Sequence, residues 1–183
     1  AIIENSASTS FDDTSTAGTA TITNYATLNF AGASRAGSAS ITNSAQLNFN
    51  NTSTADAATI TNNNDLSFNN ASTAGAAQIS NVGSGTLTFN NTSTAGTATI
   101  TNTSNVYFYN TSSADAATII NNTNGRVDFR DSSTAGTAQI TNDFGLYFRG
   151  TSTAGSATIT TNEYTEFFDN STAGTATITN NRF

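Results

Sequence analysis

The side chains able to do chemistry are few, and their types narrow the options. The chain of 183 residues holds 12 acidic groups, five arginines and five tyrosines, with no His, Cys, Lys, Met, Pro or Trp. Without imidazole or thiol there is no ready general base near neutral pH, no thiolate nucleophile, no disulfide and no zinc finger. Carboxylate chemistry is what is left. Asp12 with Asp13, and Asp128 with Asp131, are pairs a glycosidase could use. Such sites need a set separation inside a cleft. The acids here fall at variable places and no long loop is available to wall a cleft, so the chain reads as non-enzymatic. No cofactor is implied. The Gly-Gly-x-Gly-x-Asp spacing of calcium-binding repeats is also missing, so no metal is expected.

Binding chemistry is better represented. Tyr107, Tyr109 and Tyr147 fall near Asp128, Arg130 and Arg149. Aromatic faces beside carboxylate and guanidinium groups suit sugar rings, so these six residues form a candidate glycan-binding patch. The plainer expectation is cross-strand pairing on a solvated face, Asp128 with Arg149. A net charge of −7 and the lack of Lys argue against nucleic acid or an anionic membrane surface as partner. No apolar run approaches the roughly 20 residues of a spanning helix, so membrane insertion is not expected, and no signal-peptide pattern is visible.

A patch needs elements to hold it, and the apolar residues supply the pattern. Ile recurs at Ile3, Ile22, Ile41, Ile60, Ile79, Ile100, Ile119, Ile140, Ile159 and Ile178, with seven steps of 19 and two of 21. Ala precedes each Ile by two residues from Ala20 to Ala176, and a Phe follows by eight, or by ten in the two long repeats. Ile22 alternates with Thr21 and Thr23, and Leu28 with Asn29 before Phe30, which is the period of a strand. The Gly18 position is Gly or Asp throughout, residues that tolerate left-handed backbone, so it marks a corner. Asn24 recurs in every repeat but one, where Thr161 stands, and a column of stacked Asn can bond amide to amide. The two extra residues fall within 82–86 and 122–126, where they should bulge from a corner and leave the strands in register.

A fixed repeat length means identical side chains stacked above one another, because one coil cannot bury its apolar face alone. The expected fold is all-β: a single parallel β-helix (β-solenoid) over 1–183, of about ten coils of 19–21 residues. The chain starts at Ala1-Ile2-Ile3 inside a repeat and stops before another Ser-Thr-Ala-Gly, with no amphipathic cap at either end. The expectation is a segment of a longer array, or self-association, end to end or lateral.

The Ser-Thr-Ala-Gly-x-Ala-x-Ile-x-Asn units, as at 15–24, 93–102 and 171–180, resemble the β-strand repeats of large bacterial surface proteins. Those include autotransporter passenger regions and adhesin-like proteins. The resemblance spans essentially the whole chain. It implies an extracellular or cell-surface protein with a structural or adhesive role, while surface glycans are the partner the Tyr/Asp/Arg patch suggests.

A second candidate surface is made of Thr. The positions equivalent to Thr19, Thr21 and Thr23 give 27 outward places, of which 17 are Thr and four Ser. The threonines are Thr19, Thr21, Thr23, Thr42, Thr59, Thr61, Thr97, Thr99, Thr101, Thr118, Thr137, Thr141, Thr158, Thr160, Thr175, Thr177 and Thr179. In register they form a grid of about 6.6 Å along the strand and about 4.8 Å between coils. The Thr-x-Thr pattern resembles that of β-solenoid ice-binding proteins, with ice as the implied partner. Thr also favours exposed strand positions for its own sake, and Gln78, Gln139 and Ile120 interrupt the grid.

Overall fold

Alternating β-branched residues favour extended backbone, and each repeat forms two four-residue strands. The computed structural model describes residues 1–182. Ten strands, from Ile2–Asn5 through Thr21–Asn24 to Thr177–Asn180, stack into one parallel sheet, called here the Ile sheet. Nine strands, from Ser8–Phe11 through Thr27–Phe30 to Tyr164–Phe167, stack into a second, the Phe sheet. A third side is a column of single-residue bridges that runs from Thr16 and Arg35 to Thr153 and Thr172. No helix occurs among the described residues. The chain is a parallel β-solenoid, as the 19-residue period predicts, and its coils are three-sided.

Register is uniform. Ile22 pairs with Ile41 and Phe30 with Phe49, so each position stacks on its equivalent one coil on. The extra residues of the long repeats turn outward at Gly83-Ser84 and Thr123-Asn124. Pairing continues undisturbed beyond them, Thr86 with Asp65 and Arg126 with Asn105. Gly85 closes the first bulge because a Cβ there would lie 2.6 Å from the Asn62 carbonyl oxygen.

The interior is built from columns. Ala20, Ile22, Leu28 and Phe30 are buried, and so are their equivalents in the central coils. The Phe rings stack with centroids 4.5 to 4.9 Å apart and planes within 8° of parallel. That spacing is the strand separation, and it also falls in the range of offset-stacked rings, so backbone pairing and aromatic packing ask for the same repeat. The Asn column is buried and forms the expected ladder. Asn24 Nδ2 donates to Asn43 Oδ1 at 2.6 Å, and Asn102 Nδ2 to Asn121 Oδ1 at 2.8 Å. The other amide hydrogen serves backbone, as in Asn24 Nδ2 to the Gln46 carbonyl at 2.8 Å. At the exception, Thr161 Oγ1 accepts from Asn142 Nδ2 at 3.1 Å and donates to the Glu163 carbonyl at 3.2 Å, which ends the ladder.

The coil turns through two left-handed corners per repeat, one more than the Gly18 position revealed. The second is the column of Asp13, Gly32, Asn51, Asn70, Asn91, Asn110, Asp131, Gly150 and Asp169, every member at positive φ. Its Asx side chains accept from the backbone of the preceding coil, as in Asn51 N–H to Asn70 Oδ1 at 3.0 Å. Gly, Asn and Asp are the residues that enter this region at least strain, so the column was readable as a corner.

Candidate functional site

The outer face of the Phe sheet changes character along the rod. In its first half short amides pair across coils, with Asn48 Nδ2 donating to Asn29 Oδ1 at 3.0 Å and Asn90 Nδ2 to Asn69 Oδ1 at 2.9 Å. From Tyr107 onward the same positions carry rings and charges. In-register stacking brings all six residues of the candidate patch together, because Tyr107 pairs with Asp128 and Asp128 with Tyr147 along one column.

Asp128 is the centre of the cluster. It stands at an outward position, yet its side chain is 0% exposed because guanidinium groups roof it. Oδ2 accepts from Arg126 Nη2 at 2.6 Å and from Arg130 Nε and Nη2 at 3.0 and 2.9 Å. Oδ1 faces Arg149 Nε at 3.5 Å. The expected Asp128–Arg149 contact is therefore present but is the longest of three. The hydrogen bond to Asp128 holds the Arg130 guanidinium above the ordinary arginine range, with partial burial opposing it.

Aromatic rings hold the outer faces of these cations. Arg130 lies over Tyr107 and Tyr109 at 5.3 and 5.5 Å, and Arg149 over Tyr147 and Phe168 at 5.3 and 4.2 Å. Arg126 covers the Tyr147 ring at 4.9 Å. Each is within the range of a cation–π contact. Gly145 makes room for this arrangement, since a Cβ on it would sit 2.7 Å from the Tyr147 ring edge.

Arg126, Phe168 and Gly145 are site residues that the six-residue patch omitted. Arg126 was within reach: side chains two apart on a strand share a face, and Arg126, Asp128 and Arg130 follow that spacing. Phe168 follows the core Phe167 and shares the after-Phe column with Tyr109, Arg130 and Arg149. Gly145 matters only through the tilt of one ring, which no spacing encodes.

The Thr surface spans a strand and the turn before it. The Thr21 and Thr23 positions lie on strands of the Ile sheet and stack in register, Thr21 beside Ser40 and Thr23 beside Thr42. The Thr19 position lies just before those strands and stacks between coils too, Ser156 Oγ standing 2.8 Å from Thr175 Oγ1. Thr19, Thr97, Thr137 and Thr175 are exposed on the turn that follows the left-handed corner, two residues before the strand opens. The positive φ at Gly18 sets the corner before Thr19, and the outward alternation read through Thr19 holds, with Ala20 buried between exposed Thr19 and Thr21.

The carboxylate pairs are not brought to a shared cleft. Asp12 Oδ1 accepts from Ser10 Oγ at 2.7 Å, and Asp131 Oδ2 accepts from the Asn110 backbone N–H at 2.8 Å, while Asp128 is enclosed by arginine. Among the described residues there is no pocket and no acid cluster suited to a metal. The chemistry this arrangement offers is recognition on a flat surface, through ring faces and guanidinium edges. No protein-family model, curated protein or solved structure matches this chain.

Proposed function

We propose that this chain is a non-enzymatic adhesive rod of the cell exterior, stiffened by its stacked ladders and binding saccharides through the Tyr/Arg face of the Phe sheet. One observation carries the reading. Tyr107, Tyr109, Tyr147 and Phe168 gather on one face of adjacent coils with three guanidinium groups stacked among them, whereas the same face further back carries Asn, Ser and Thr. Rings lying on a flat sheet suit the apolar faces of sugars, and amphipathic rings order at low entropic cost. The exterior location and kinship with adhesin or autotransporter repeats rest on the Ser-Thr-Ala-Gly-x-Ala-x-Ile-x-Asn unit. A glycan array probed with the full chain should give binding that disappears in the Tyr107→Ala/Tyr147→Ala double variant. A blank array removes the saccharide reading.

A second reading has its own support. The Thr21 and Thr23 columns repeat in register across the ten-stranded Ile sheet. A hydroxyl and methyl grid of that kind fits an ice plane. Freezing-point hysteresis that falls on Thr99→Tyr would favour it, and no hysteresis in the parent protein ends it.

A further inference from the structure

We infer that the saccharide taken by this face carries an oxyanion, a carboxylate or a sulfate ester, and that Arg149 is the residue that reads it. The inference rests on the saccharide reading above and sharpens its ligand class. Charge is the first observation. The chain has a net charge of −7, yet three of its five arginines meet at one carboxylate, so Arg126, Arg130, Arg149 and Asp128 together carry a formal +2, three cations less one anion. Asp128 is fully enclosed and offers no oxygen to a ligand.

The second observation is the state of Arg149. Arg126 and Arg130 spend hydrogens on Asp128 Oδ2, whereas Arg149 Nε stands 3.5 Å from Oδ1 and makes no hydrogen bond among the described residues. Its guanidinium lies instead over Phe168 at 4.2 Å and Tyr147 at 5.3 Å, and its side chain is 35% exposed. A guanidinium lying over ring faces with its terminal donors unspent is prepared for two parallel N–H bonds to one oxyanion. The neighbouring ring faces would carry the sugar.

Three acids flank the patch, and one of them, Asp169, accepts from the Gly150 backbone N–H at 3.0 Å. Asp131 is occupied by the Asn110 backbone N–H at 2.8 Å. Glu166 follows Tyr147 in its column, is exposed and forms no ion pair among the described residues. It opposes an incoming anion, so its neutralisation should strengthen binding.

The test uses the full chain and three oligosaccharides of equal length: sulfated, uronate-bearing and neutral, titrated at low and at physiological salt. At least one acidic sugar should bind about tenfold or more tightly than the neutral one, and weaken as salt rises. Arg149→Gln should erase that preference with the melting curve unchanged, Arg149→Lys should restore only part of it, and Glu166→Gln should tighten acidic-sugar binding about two- to fivefold. The better acidic sugar identifies the group. Equal or tighter binding of the neutral sugar, or a full preference kept by Arg149→Gln, overturns this inference and leaves the saccharide reading standing. No binding of any of the three overturns both.

Discussion

Two buried polar columns look alike in the repeat and differ in what they do. Asn102 Nδ2 donates to Asn121 Oδ1, Ser104 O and Arg126 O, and its Oδ1 accepts from Asn81 Nδ2 and the Ser104 N–H. Asn102→Ala strands several of these groups in the interior, and urea unfolding should show a loss of about 2–4 kcal/mol. Ser93 is equally buried, but its Oγ has no partner, as at Ser72 and Ser112. An unmet buried hydroxyl is a cost, so Ser93→Ala should be neutral or stabilise by up to about 1 kcal/mol under the same urea titration. At Asp128 the sign is clear and the size is moderated. Its carboxylate is wholly buried while its arginines are about one-third exposed, so solvent softens the loss. Asp128→Asn leaves three facing cations and should cost about 1–3 kcal/mol, read as a lower thermal midpoint that recovers partly in high salt. The Asn column was legible because the amide type recurs at one position. That the Ser hydroxyls from Ser34 to Ser152 lack a partner, while Ser171 Oγ donates to the Phe148 and Phe168 carbonyls, was not, because it depends on where each Oγ points.

Strand length and corner geometry do the positioning. Every strand is four residues, and each coil closes through left-handed corners that Gly, Asn or Asp occupy. The bulges show how independent the corners are of the ladders. Removing Gly83 and Ser84 would leave Asn81-Val82-Gly85-Thr86, the same spacing as Asn24-Tyr25-Ala26-Thr27. The deletion should shift the melting midpoint by no more than about 4 °C. Removing Thr99 and Ile100, two residues of a strand, should prevent cooperative folding, since every later side chain of that coil loses its stacked partner. The same independence explains why a 19-residue pattern located the strands but drew the first of each coil out to the Thr19 position: composition marks a strand's interior better than the residue at which a turn ends.

Along the whole molecule, each coil touches only its neighbours, so scaffold and patch are separable. Excising residues 53–71, one 19-residue unit that lies before the patch, joins Thr52 to Ser72 in phase. The shortened chain should melt cooperatively, lose about 5 Å of length in small-angle scattering and keep any saccharide binding of the parent. A lost patch in that variant would contradict nearest-neighbour assembly. From sequence alone came the all-β class, the coil length, the stacked Ile, Phe and Asn columns and the six patch residues, because a solenoid turns periodicity directly into contact. Only the tertiary structure decided that Asp128 is enclosed rather than presented, that Arg126 and Phe168 complete the cluster, and that Arg149 keeps its donors free. Those depend on how side chains of different length lean across coils, and a repeat specifies which residues are neighbours without specifying which of them reaches the other first.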